Sequence, residues 1–354
     1  MMVKKSRYMI VKDTPIFLRS CRRESTEYTP VWLMRQAGRF LGGYRSLRQQ
    51  YPFLTLCKTP ELATTVTLLP IEKLGVDAAI IFADILLPLE PMGIDLEFTK
   101  GEGPVINNPP RSRTDVEKLR GIEAEEDLPF VMEAIKSVCR ALKGKIPLIG
   151  FSGAPFTLAS YLIEGGGTKD FLRTKSLMYQ DPSSWHLLME KLSAAIISYL
   201  NAQVRSGAAV VQIFDSWAGV LSPQDYEEFV LPHSRRVFQG LSPDIPRIHF
   251  ATAASGILGA MKVAGGDIIG IDWRIDLDEA WQRLGHEVGI QGNLDPTVLL
   301  GPRERIEKKV EEILHAAAGR PGHIFNLGHG VLPQTPEENV IAMVEAVHRL
   351  SRDR

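Results

Sequence analysis

Arg35 and Arg39 stand four residues apart just after an apolar run. Each carries a planar guanidinium fork that can hold a carboxylate through paired hydrogen bonds. If the chain turns helically there, both forks fall on one side. Asp84 follows a second apolar run, and Tyr161, Ser216 and His329 add hydroxyls and an imidazole farther along. This set suits a polyanionic ligand whose centre presents hydrogen-bond donors, or a developing cation, to one carboxylate. Small residues such as Ser152, Gly153 and Ala154 after another apolar run would leave room for a bulky flat molecule.

Other chemistries fit the residues less well. The eight histidines contain no H-x-H or H-E-x-x-H spacing, and no cysteine follows an apolar run as a zinc ligand would. Ser216, His329 and Asp84 could be imagined as a triad, but no G-x-S-x-G elbow accompanies them. No G-x-x-x-x-G-K-[ST] loop is present to cradle phosphate. Taken singly, each residue also has an ordinary reading: Asp84 or Ser216 as a helix cap, Tyr161 as core, His329 as a loop histidine.

Something must bring these side chains together. Eight short apolar runs alternate with longer helix-like stretches: 31–34, 77–83, 147–151, 208–214, 247–250, 267–272, 288–291 and 323–327. Most are continuously apolar, as strands covered on both faces are. The run 247–250 is short and partly polar. Helix starts are marked at Thr59-Pro60 and Ser222-Pro223, and Thr335 to Glu338 reads as a capping box. The pattern predicts an α/β fold, a single (β/α)8 TIM barrel over residues 1–354 with residues 1–29 as an N-terminal extension containing some helix. A doubly wound sheet is disfavoured because no G-x-G-x-x-G follows the first strand. In a barrel the site lies at the carboxyl ends of the strands. Arg35, Gln36, Arg39, Asp84, Ser152, Asp215, Ser216, Asp272, Arg274, Asn293 and His329 then converge on one mouth.

Bulk properties narrow the partners. The 354 residues are 44% hydrophobic and 23% charged, with a formal net charge of -1. Without a basic block, no nucleic-acid partner is expected. No run is long and apolar enough to predict a membrane span. The start MMVKKSRYMIVKD develops no apolar signal core. Three scattered cysteines, Cys21, Cys57 and Cys139, point to a reducing, cytoplasmic setting.

Seven motifs then carry a resemblance. Pro30 to Arg39 (PVWLMRQAGR), Ile81 to Ile85, Gly150 to Leu158, Tyr161 with Glu164 to Gly167, Phe214 to Gly219, Gln291 to Pro296 and Asn326 to Gly330 resemble, in order, the signatures of uroporphyrinogen decarboxylases. The resemblance implies a TIM barrel that converts uroporphyrinogen III to coproporphyrinogen III without a cofactor or metal, commonly as a homodimer. It implies catalysis by Asp84, Arg35 and Tyr161. Substrate contacts carry over to Arg35, Gln36, Ala37, Gly38, Arg39, Asp84, Tyr161, Ser216 and His329, and Tyr44 and Arg48 match positions near the pocket. Gly42-Gly43 departs from a usual Pro-Glu and is expected to loosen the loop after Arg39. Two rivals stand beside this reading. One is a zinc-dependent methyltransferase acting on corrinoid or thiol substrates, which would need His and Cys ligands. The other is a non-catalytic porphyrin carrier, which would tolerate loss of Asp84.

Overall fold

The computed structural model describes residues 14–99 and 103–352. Among the described residues there are nine strands: β1 (Ala79–Ile80), β2 (Leu96–Thr99), β3 (Gly103–Ile106), β4 (Leu148–Gly153), β5 (Val210–Asp215), β6 (Arg247–Ala251), β7 (Ile268–Gly270), β8 (Gly289–Leu294) and β9 (His323–Leu327). Seven form one parallel sheet in the order β1-β4-β5-β6-β7-β8-β9, and β2 pairs with β3 in a separate antiparallel hairpin. Helices link successive strands of the large sheet, as parallel connections require. The architecture is that of a (β/α)8 barrel.

The eighth stave is not a regular strand, which corrects the expectation for 31–34. Val31 makes only an isolated parallel bridge to Phe325. Phe325 N–H donates to Pro30 O at 2.9 Å, and Asp77 N–H donates to Val31 O at 2.8 Å, so the segment still spans the gap between β9 and β1. Trp32 N–H still reaches Phe325 O at 3.4 Å, and side chains accept the other amides. Val31 N–H goes to Asp77 Oδ2 (2.8 Å), Leu33 N–H to Gln36 Oε1 (3.0 Å) and Met34 N–H to Asn326 Oδ1 (3.2 Å). Buried amides must find acceptors, and here most of them are not backbone carbonyls. The strand expected over 77–83 is likewise cut to two residues in β1; Phe82 N–H turns away to Thr67 Oγ1 at 2.9 Å. The partly polar run at 247–250 is a full strand paired on both sides.

The lower barrel is filled by Trp32, Ile149, Val210, Ile248, Ile268 and Ile324, with Phe17 and Cys21 of the helix Ile16–Cys21 packed against them. That helix is the regular element in the described part, 14–29, of the expected N-terminal extension; residues 1–13 lie outside the described residues. A polar crosspiece runs through this core. Trp32 Nε1–H donates to Gln291 Oε1 (2.9 Å), whose amide donates to Gln212 Oε1 (3.1 Å).

Two local readings change. The capping box at Thr335 does not form: the helix begins at Glu337, Pro336 is its cap, and no side chain caps it. Glu337 Oε1 instead accepts the Gly42 N–H at 2.5 Å. A complete capping box occurs at Ser112 and Asp115. The Gly42-Gly43 pair does not loosen its loop but opens the helix Gly42–Gln50, tied down by that same Glu337 contact. Among the described residues, no helix is long and apolar enough to cross a membrane.

Candidate active site

Met34 to Phe40 leaves the barrel wall as a series of turns rather than a helix. Arg35 adopts φ +59°, a left-handed conformation that non-glycine residues enter rarely. The helical pairing expected for Arg35 and Arg39 is therefore replaced by a loop that exposes both side chains. Arg35 has a built seat: a Cβ at Gly330 would lie 2.4 Å from its Cδ and 2.6 Å from its Cγ. Gly330 is thus the gap through which the arginine stem crosses the His329 loop.

The loop between the arginines divides into two roles. Gln36 is fully buried, its Oε1 bonded to Leu33 N–H and its amide to Ala78 O at 3.1 Å. Its side chain braces the wall and does not reach the mouth. Ala37 and Gly38 are half-buried. Among the described residues the N–H groups of Ala37, Gly38 and Arg39 donate to no protein acceptor. Tyr44 and Arg48 pack behind this loop: Tyr44 is buried against Phe82, and Arg48 lies over Phe53 and donates to Tyr51 O.

Asp84 sits four residues beyond β1, partly accessible. Its Oδ1 accepts the Leu86 N–H at 2.9 Å, closing a local turn rather than capping the short helix Leu87–Leu89, whose cap is Leu86. The other oxygen bonds to no described residue. Burial pushes this carboxyl up from 3.8 to about 6, opposed by the Leu86 N–H and the Arg35 charge. Tyr161, on the helix Pro155–Glu164, is pushed up to about 12 by burial and by Asp84, with Arg35 pulling the other way. His329 is pushed down to about 4 by burial, then by Arg35 and Arg274. Its Nδ1 accepts the Gly330 N–H at 2.7 Å. Arg35 thus acts electrostatically on Asp84, Tyr161 and His329 together, so the fold gathers these four from widely separated segments. At neutral pH they present a mostly ionised carboxylate, a neutral phenol, a neutral imidazole and a guanidinium.

Ser216 is half-buried beyond β5, its carbonyl accepting the Thr252 hydroxyl at 2.6 Å. Its neighbour Asp215 does not join the mouth. That carboxyl is fully buried, with Oδ1 facing the Thr157 hydroxyl at 3.1 Å. Asp272 is also removed: it accepts the Ala253 and Arg274 amides and pairs with the Arg274 guanidinium, which stacks on Trp273. Asn293 is spent on the carbonyls of Asp272 and Ile275, and the Ser152 hydroxyl on Gly153 O. The sequence reading missed Trp217, whose indole stacks on Tyr161 with centroids 4.0 Å apart and planes at 28°. Its position directly after Ser216, in one of the quoted motifs, was the available signal. Among the described residues, no cluster of three His, Cys, Asp or Glu side chains forms a metal site.

Residues 13–350 match the family model for uroporphyrinogen decarboxylase. The chain belongs to the uroporphyrinogen decarboxylase family. It is 59% identical over 336 residues to the uroporphyrinogen decarboxylase of Carboxydothermus hydrogenoformans, covering 95% of this chain and 96% of that one. Identity to the uroporphyrinogen decarboxylase of Sorangium cellulosum is 54% over 337 residues, with 95% and 96% covered. Among solved structures, a methyltransferase from Methanosarcina mazei superposes with a TM-score of 0.79 over 95% of this chain and 98% of that one. At 21% identity that likeness speaks for the shared fold alone. A fold shared with that protein does not by itself settle the chemistry, which has to be argued from the side chains of the site.

Proposed function

We propose that Asp84 is the group on which this chain's decarboxylation of uroporphyrinogen turns. The carrying observation is that Asp84 is partly accessible, that its second carboxylate oxygen has no partner among the described residues, and that the Arg35 charge acts on it. The chain is a carboxy-lyase that takes the four acetate arms of uroporphyrinogen III to methyls, giving coproporphyrinogen III and CO2.

Loss of CO2 leaves an electron pair on the arm's CH2 carbon. The substrate pyrrole can receive it. Protonation of a ring carbon next to the acetate arm makes the ring an iminium-like cation. The C–CO2 bond then breaks, its electrons flow into that cation, and an exocyclic C=C bond forms. A second proton at the arm's CH2 carbon gives the methyl, and loss of the ring proton restores the pyrrole. The ionised Asp84 accepts hydrogen bonds from pyrrole N–H groups and stabilises the cation as it forms. Preorganised charge of this kind, in a site with little water, is commonly the largest catalytic contribution. A carboxyl near 6 is ionised above that pH while retaining enough basicity to hold N–H donors strongly.

Arg35, Arg39 and the open amides of Ala37 and Gly38 are suited to the substrate's carboxylates. Tyr161, Ser216 and His329 supply neutral donors that orient arms without competing for the cation. Gln36 contributes by holding the loop rather than by contact. The same reading makes the chain a cytoplasmic homodimer without nucleic-acid or membrane partners, which sedimentation of the purified protein tests. The test of function is incubation with uroporphyrinogen followed by chromatography. Products with seven to four carboxyl groups are expected; undiminished eight-carboxyl substrate would refute the reading.

A further inference from the structure

Asp215 is an expensive residue. Its carboxyl is completely buried, and its Oδ2 has no hydrogen-bond partner. Burying such a group weakens a fold, so its presence calls for a compensating role. It lies at the end of β5, one residue from Ser216, yet its side chain points to the helix Pro155–Glu164 rather than to the mouth.

The contacts on that side form a chain. Thr157 Oγ1–H donates to Asp215 Oδ1 at 3.1 Å. The same Oγ1 accepts the Trp217 N–H at 3.4 Å. A hydroxyl rotor can serve only one acceptor with its single hydrogen. Asp215 claims that hydrogen and so leaves a lone pair toward Trp217. The Trp217 indole then stacks on Tyr161, and Phe171 meets it edge-on with centroids 5.2 Å apart. Thr157 and Tyr161 are four residues apart on one helix, so the hydroxyl and the phenol share a face.

We propose that Asp215 is a positioning residue for decarboxylation: through Thr157 it fixes Trp217, and through the stacked indole it fixes the Tyr161 ring beside Asp84. The inference rests on the functional reading above, in which Tyr161 orients the substrate. Asp215 itself touches neither substrate nor Asp84. Its carboxyl sets the direction of one hydroxyl, and that direction propagates to the aromatic wall.

The test compares Asp215→Ala and Asp215→Asn with the parent chain, using Trp217→Phe to identify the near-ultraviolet circular dichroism of the stack. Asn still offers an oxygen to Thr157, so Asp215→Asn should keep both the signal and turnover. Asp215→Ala should lose the signal, and kcat/KM should fall by about tenfold to a hundredfold, as small misplacements of orienting groups do. The acidic limb of its kcat profile should stay where it was, because Asp84 is untouched; a merely structural role would lower the melting temperature and leave kcat/KM per folded molecule intact. Retention of the stack signal or of kcat/KM in folded Asp215→Ala overturns the proposal. If that variant does not fold, Thr157→Val, which removes both hydrogen bonds at nearly constant shape, decides by the same two readings. Failure of the parent chain to convert uroporphyrinogen would sink the functional reading instead, and the spectra would still decide whether Asp215 governs the stack.

Discussion

Replacing Asp84 by Asn should separate activity from stability. Asn keeps an oxygen for the Leu86 N–H, which Asp84 accepts at 2.9 Å, but removes the charge. Deleting one preorganised electrostatic group raises a barrier by about 2.7–4 kcal/mol, a loss of about 10²–10³ in kcat. The same change relieves the fold. Burial raises the carboxyl from 3.8 to about 6, so the folded chain binds this proton more tightly than the unfolded chain does. The associated stability is fully present below the unfolded value of 3.8 and is lost as pH rises through about 6. Well above that, at about pH 8, the ionised group costs the fold up to about 3 kcal/mol, at about 1.4 kcal/mol per unit of pKa. Partial exposure reduces the net gain to about 1–2 kcal/mol. Urea melts of parent and variant at about pH 5 and about pH 8, beside product chromatography, measure both effects. A folded variant with kcat within about threefold of the parent would refute the electrostatic role. A gain independent of pH would refute the burial argument.

Three further outcomes follow from the same geometry. Arg35→Lys and Arg39→Lys should each raise KM by about tenfold, because a point ammonium cannot grip a carboxylate as a paired fork does; unchanged kinetics in both would remove the loop from substrate capture. Gly330→Ala should lower kcat/KM by about tenfold through Arg35 alone, since the added methyl would fall 2.4 Å from the arginine Cδ; a drop in melting temperature without a kinetic change would place the effect elsewhere. Asp77→Ala should destabilise the fold by about 3 kcal/mol, because Val31 N–H, the Tyr28 hydroxyl and His348 all lose their shared acceptor. A denaturant midpoint unchanged from the parent would show that Asp77 is not what clasps the barrel shut.

Much of this protein was legible before any coordinates. Strand runs read from apolar continuity match the sheet closely from β4 onward, because a strand covered on both faces must be apolar throughout. The same rule missed at the barrel seam, where Asp77, Gln36 and Asn326 replace ladder carbonyls. No periodicity encodes a side chain from a distant segment acting as a backbone partner. Chain order also singled out Asp84, Ser216 and His329 as candidates, since a residue just past a buried strand faces the mouth or the layer behind it; Tyr161, within a helix, came only from the motif resemblance.

Which of those two it faces was decided only in three dimensions. Asp215 and Ser216 are adjacent in sequence, yet one is sealed against Thr157 and the other stands at the rim. Gln36 and Arg35 are adjacent, yet one braces the wall while the other, at φ +59°, projects across Gly330. The amino-acid sequence by itself determined the barrel, its family and the inventory of chemical groups, because apolar patterning and residue type are local properties. The tertiary structure alone decided which groups keep hydrogen-bonding capacity unused by the rest of the fold. That depends on partners supplied by segments far away in the chain, and on the burial that moves Asp84, Tyr161 and His329 from their ordinary pKa values.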